Sequence, residues 1–146
     1  MIVVSNDPEL LEIYPTWSPD GNYLYYGKSV PLPEEMHGQD IHVTYEKTQY
    51  NLYRKSFDAA SLTFGEEELV YDAASKNKSA TLPRISPDGR YMLFPEGQYG
   101  CFHTRHSDAD VMCVSLNGEF PLENDPEAEN SPFIDLSNFN SEGFAD

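Results

Sequence analysis

A chain of 146 residues has the length of one domain, enough for a modest core. Its formal charge of −16 argues against nucleic acid and anionic membrane surfaces as partners, because both require a basic footprint. With 13% aromatic residues, 11 Pro and 9 Gly, the composition favours strands interrupted by turns over long helices, so the expected class is all-β.

Taken in order, Ile2 to Ser5 is a short β-like run ended by Asn6-Asp7-Pro8. It carries neither the charged nor the apolar region of a signal peptide, and no apolar run in the chain reaches the length of a membrane span. Ile13 to Ser18 is a first strand, and Tyr23 to Lys28 a second. The unbroken apolar character of the second predicts burial on both faces. A long connection follows from Ser29 to Thr48, with a short β-like piece from Ile41 to Tyr45 inside it. Tyr50 to Phe57 and Glu68 to Tyr71 are third and fourth strands, joined by a polar turn from Asp58 to Gly65.

The pattern then restarts. Ala80 to Ser86 is again a first strand, Tyr91 to Phe94 a second, Pro95 to Ala109 a long connection, and Asp110 to Leu116 a third strand. Asn117-Gly118 is a strong hairpin signal, with Phe120 to Leu122 placed to begin a fourth strand. Beyond it, Glu123 to Asn130 is acidic, and Ser131 to Asp146 has scattered apolar residues without a further repeat. That tail is either loosely ordered or a segment that docks on the domain.

What repeats most closely is Ser-Pro-Asp-Gly, at Ser18 to Gly21 and at Ser86 to Gly89. Pro presets the first corner of a type I turn, Asp suits the second, and Gly takes the left-handed residue that closes the hairpin. The flanks match as well: Pro15 to Tyr26 reads Pro-Thr-Trp-Ser-Pro-Asp-Gly-Asn-Tyr-Leu-Tyr-Tyr, and Pro83 to Phe94 follows it with Ile85 in the tryptophan position.

This wording resembles the WD40-like repeat of TolB-type β-propellers. The segments Gln49 to Arg54, Leu69 to Ala73 and Tyr99 to Phe102 also resemble TolB-like proteins of Bacteroidetes bacteria, which are usually exported. The resemblance implies blades of four antiparallel strands, with blade 1 at 13–79 and blade 2 at 80–122. An N-terminal segment, 1–12, and the acidic tail, 123–146, flank them. It further implies a non-enzymatic scaffold that binds protein in the periplasm or cell envelope, without a cofactor. The same repeat occurs in the non-catalytic propellers of prolyl-oligopeptidase-type hydrolases, so an accessory domain or degenerate relative of such an enzyme is the rival expectation. Two blades do not close a propeller. They imply a fragment of a longer one, the favoured expectation, or self-association of several copies into a ring through open blade edges, or an irregular two-sheet fold.

In such a blade the Ser-Pro-Asp-Gly turns share one end and the long connections the other. All four histidines fall in the connections: His37 and His42 in the first, His103 and His106 in the second. With Asp108, and with Asp40 and Asp110 nearby, they form the candidate binding surface for a partner or a divalent metal. The plainer reading is four exposed loop histidines without a ligand. His103-x-x-His106 lacks the helix and the glutamate of a zinc-protease motif, so no metal ligand is assigned. Asp20 and Asp88 sit where the turn wants Asp, and Ser18 and Ser86 lack a nucleophile elbow, so all four read as structural. Cys101 and Cys113 are one bridge or two thiols, which leaves the compartment open.

Overall fold

The computed structural model describes residues 3–5, 7 and 9–117, together with the backbone of 133–135. It is all-β with almost no helix: two antiparallel sheets stacked face to face. The first is a meander of β1 (Glu12–Trp17), β2 (Tyr23–Ser29), β3 (Tyr50–Asp58) and β4 (Thr63–Tyr71), hydrogen-bonded in that order. In the second, the short strands β5 (Ser79–Ala80) and β6 (Arg84–Ile85) both pair with β7 (Tyr91–Gly97). β7 pairs with β8 (Asp110–Ser115), and β8 with β9 (Phe133–Asp135). Both sheets are open.

The repeat is reproduced bond for bond. Ser18 N–H donates to the Tyr23 carbonyl at 2.8 Å, and Ser86 N–H to that of Tyr91 at 2.8 Å. Each serine hydroxyl donates to its aspartate at 2.6 Å and accepts the N–H of Tyr23 or Tyr91 at 2.9 Å. Each aspartate also accepts the N–H two residues on, at 3.0 Å and 3.1 Å, while Gly21 and Gly89 share φ 74°. The match extends upstream. Tyr14 and Leu82, each preceding a proline, stand at φ 55° and 51°, a conformation that costs an L-residue about 1–2 kcal/mol. In β1 this makes a register shift between Ile13 and Thr16; in the second sheet it separates β5 from β6, so the single strand expected from Ala80 to Ser86 is two. Both turns border one hollow of about 500 Å³, which places them at the same end of the stack.

The core lies between the sheets. Tyr25, Leu52 and Tyr71 from the first meet Ala80, Met92, Phe94 and Val114 from the second, and the rings of Tyr71 and Phe94 pack at 4.6 Å. Buried polar groups tie the layers as well. Tyr71 OH donates to the Glu96 carboxylate, and Ser79 Oγ accepts the Tyr50 N–H at 3.0 Å while donating to the Gly100 carbonyl at 2.7 Å. Strand β2 is buried on both faces through Leu24, Tyr25 and Tyr26, as its continuous apolar run predicts.

Several expectations are corrected. Ile41 to Tyr45 is not a strand. It is a one-turn helix, α1 (Ile41–Thr44), followed by a 3-10 turn at Tyr45–Lys47. Asp40 turns the chain there: its carboxylate accepts the His42 N–H at 2.8 Å, and its carbonyl accepts those of Val43 and Thr44. Strand β4 starts at Thr63, and β7 runs on to Gly97, because Pro95 and Glu96 still have partners in Val111 and Asp110. Residues 3–5 carry no strand. The expected hairpin at Asn117-Gly118 and strand at Phe120 to Leu122 lie outside the described residues. The fourth place in the second sheet is held by β9, from the segment read as a tail without repeats.

Candidate functional site

The two long connections fold onto each other at the end away from the Ser-Pro-Asp-Gly turns. Their joint is Tyr45. Its ring stands 5.9 Å from Tyr99 and 6.0 Å from Phe102, and 6.4 Å from the ring of His106. Its hydroxyl accepts the Phe102 N–H at 3.0 Å, and the Gly100 N–H donates to the Thr48 carbonyl at 2.7 Å. Gly100, at φ 66°, permits this approach.

The sequence-predicted residues divide. His103, in a 3-10 turn (His103–Arg105), is 2% exposed, and its ring lies 5.7 Å from that of His106. His106 is half-buried against Tyr99 at 4.7 Å, and Asp108 is half-buried on the same loop. These three share one property. His103 Nε2, His106 Nδ1 and Asp108 Oδ2 are buried atoms without a hydrogen-bond partner.

His37 and His42 do not join them. His37 is exposed, with Nε2 3.0 Å from the Leu32 carbonyl, on a hollow of about 280 Å³ between the N-terminal segment and the first connection. His42 is exposed on α1. Asp40 caps α1 as described, and Asp110 opens β8 opposite Glu96. The picture of four exposed loop histidines is therefore corrected at His103. Its burial comes from β7 and from the segment between β5 and β6, which a loop's own sequence does not reveal.

The electrostatics follow from this packing. Burial holds the His103 pKa below the ordinary imidazole value, and the nearby His106 charge lowers it further; backbone acceptors at Pro95, Gly100 and Tyr99 oppose the shift. The net effect favours the neutral ring. Thr81, fully buried, fixes its orientation: Thr81 Oγ1 lies 3.2 Å from His103 Nδ1 and donates to the Cys101 carbonyl at 3.5 Å. Cys101 and Cys113 are free thiols, both raised in pKa by burial, so neither is an activated nucleophile.

Residues that sequence reasoning passed over carry much of this site. The sequence pattern puts Tyr45 in one strand and Thr81 in another, and gives Gly97 and Gly100 no role beyond a connection. The glycine pair flanking Gln98-Tyr99 is the available signal, since glycine recurs where another chain segment approaches closely. Among the described residues, no three His, Cys, Asp or Glu side chains stand together at metal-ligating range, and no helix is long and apolar enough to cross a membrane. No family model matches this chain, and no curated protein or solved structure is significantly similar to it.

Proposed function

We propose that this chain is a propeller-type module of the TolB-like kind, non-enzymatic, which binds protein in the cell envelope through the joined long connections. The carrying observation is the docking of those connections around Tyr45, which holds Phe102 54% exposed beside the Tyr45 ring, its N–H bonded to the Tyr45 hydroxyl. An ordered aromatic residue offered to solvent costs little entropy to bury again and is a common anchor of protein interfaces. The charge of −16 favours a basic partner surface, by steering as much as by affinity.

The propeller reading is supported by two antiparallel sheets, of four and five strands, with matching turns at one end. It is supported too by apolar residues on both outer faces, where neighbouring blades would stack. Trp17, 47% exposed, and Leu69 lie on the first sheet opposite the core, and Leu93 and Val111 on the second. Association edge to edge has less support at β4, an edge strand that carries Glu66, Glu67 and Glu68, the last two already paired with Lys28 and Arg54.

The test is affinity capture with the tagged chain and with Phe102→Ser. Retention of a protein partner by the first, reduced at least about tenfold in a variant of unchanged melting temperature, is the expected result. Equal capture by both, or capture of nothing, contradicts the proposal.

A further inference from the structure

The two sheets meet through opposite sides of one repeated pattern. From Pro15 to Tyr26 and from Pro83 to Phe94 the repeat runs in step, so Leu24 and Tyr26 correspond to Met92 and Phe94, and Tyr25 to Leu93. The match continues on the next strands: Leu52 pairs with Gly27, and Val111 with its counterpart Pro95. In the core, Tyr25 and Leu52 of the first sheet meet Met92 and Phe94 of the second. Because side chains alternate along a strand, the two outer sides are the two halves of that same contact. Leu93 and Val111, 37% and 42% exposed, repeat the side of Tyr25 and Leu52, while Leu24 and Tyr26 repeat the side of Met92 and Phe94.

Leu24 and Tyr26 point away from the core and are nonetheless only 7% and 5% exposed. Trp17 beside Leu24 and the Tyr53 ring beside Tyr26 cover part of them, and across both runs the chain's own N-terminal segment. Running back from Glu12 at the start of β1, it crosses two strands. Asp7 reaches Lys28 on β2 at 3.3 Å, and the Val4 carbonyl accepts from Lys55 on β3 at 3.2 Å. Tyr26 lies between these anchors, since Lys28 follows it on β2 and Lys55 stands opposite Leu24. Within the segment the Ser5 hydroxyl donates to Glu12, and Asp7 accepts the N–H groups of Glu9 and Leu10 at 3.0 Å and 3.3 Å. The Lys28 side chain, 12% exposed, also reaches Glu67 at 3.0 Å and Glu12 at 3.9 Å.

We propose that the N-terminal segment, through Val4, Ser5 and Asp7, is a detachable cap on the outer face of the first sheet, and that it holds the place which the second sheet of another copy of this chain fits. Leu93 and Val111 of that copy would repeat, on Leu24 and Tyr26, the contact that Tyr25 and Leu52 make with Met92 and Phe94 inside one chain. The fit is head to tail, so each contact leaves a further pair of faces open, and growth continues to a ring or a filament. Ion pairs and single hydrogen bonds near the surface are each worth little, which makes the cap removable. Trp17 and Leu69, 47% and 52% exposed on the same face, give the second copy its first footing. The role of the second copy rests on the propeller-type reading; the cap itself does not.

The experiment compares the full chain with a variant carrying Ser5→Ala and Asp7→Ala, both outside the two sheets. Light scattering gives the mass over a concentration series. Acylation by an amine-reactive ester at low concentration, read by mass spectrometry, gives the accessibility of Lys28. The parent is expected to stay monomeric with Lys28 slow to react. In the variant Lys28 reacts up to about fivefold faster, the equivalent of one lost ion pair, and the mass climbs with concentration to a dimer and beyond. Adding Leu93→Asp returns the variant to a monomer with Lys28 still fast. Equal acylation of Lys28 in parent and variant overturns the cap and leaves the propeller-type reading standing. Fast acylation in a variant that stays monomeric overturns the second copy and counts against that reading too. Association that survives Leu93→Asp, or a parent that already associates, overturns the proposal as well.

Discussion

The Tyr45 ring occupies the space that a side chain on Gly100 would need: a Cβ there would stand 2.3 Å from Tyr45 Cζ and 2.6 Å from its hydroxyl oxygen. Two connections far apart in the chain are thus fitted to each other at atomic contact. Gly100→Ala is expected to break that fit. The left-handed backbone alone costs about 1–2 kcal/mol, and the displaced ring adds to it. The urea midpoint should fall, and the Gly100 and Phe102 amides, bonded to Thr48 and Tyr45, should exchange faster than those of β3 and β7. An unchanged midpoint with unchanged exchange would mean that the loops are not docked.

Acid should loosen the two repeat turns before the core. The Ser86 hydroxyl, then the Arg90 N–H and guanidinium, hold the Asp88 carboxyl down to about 2; Ser18 and the Asn22 N–H lower that of Asp20 likewise. In the unfolded chain each titrates near the ordinary value of 3.8. The folded pKa is the lower one, so the stabilisation is complete above the unfolded value of 3.8 and is lost as the pH falls from there through about 2. Asp88→Asn should remove this part of the acid dependence. Urea midpoints of the variant and the parent that run parallel from pH 5 to pH 2 would refute the assignment.

Phe94 lies fully buried against Tyr71 at the centre of the contact between the sheets. Phe94→Ala should cost about 3–5 kcal/mol through lost burial and the cavity left behind. That is a large share of the stability of a domain this size. Chemical denaturation gives the number, and a loss below about 1 kcal/mol would mean that the sheets do not stack as described.

Both cysteines should be present as thiols that react slowly. Burial raises their pKa, and for Cys101 the hydroxyls of Tyr14 and Tyr50 only partly offset it. A chromogenic disulfide reagent at pH 8 is expected to label them slowly in the folded chain and at once in urea. Immediate labelling of folded protein would contradict the packing around β8 and the second connection.

The features legible in the sequence are those whose physics is local. Ser-Pro-Asp-Gly carries its own geometry, so both hairpins, the strands they join and the structural role of Asp20 and Asp88 could be read from the residue types. Ile41 to Tyr45 misled because its β-branched residues suit a strand, while Asp40 just before it starts a helical turn and no neighbouring strand is there to pair with it. The place of β9 depends on pairing with β8 from a distant segment, which no window of sequence contains. His103 and His106 were identified, but their separation from His37 and His42 was not. That separation is set by Thr81, Gly97 and Tyr45, each on a different element from the histidines, and only the fold brings them together.

The claim that the two long connections make one ordered face rests on Tyr45, and proton–proton cross-relaxation in the folded chain examines it most directly. Strong cross-peaks from the Tyr45 ring protons to Gly100 Hα and to the rings of Tyr99 and His106 are predicted. Their absence, with the Tyr71 to Phe94 cross-peaks of the core still present, would show a folded domain whose connections lie apart and would contradict the account.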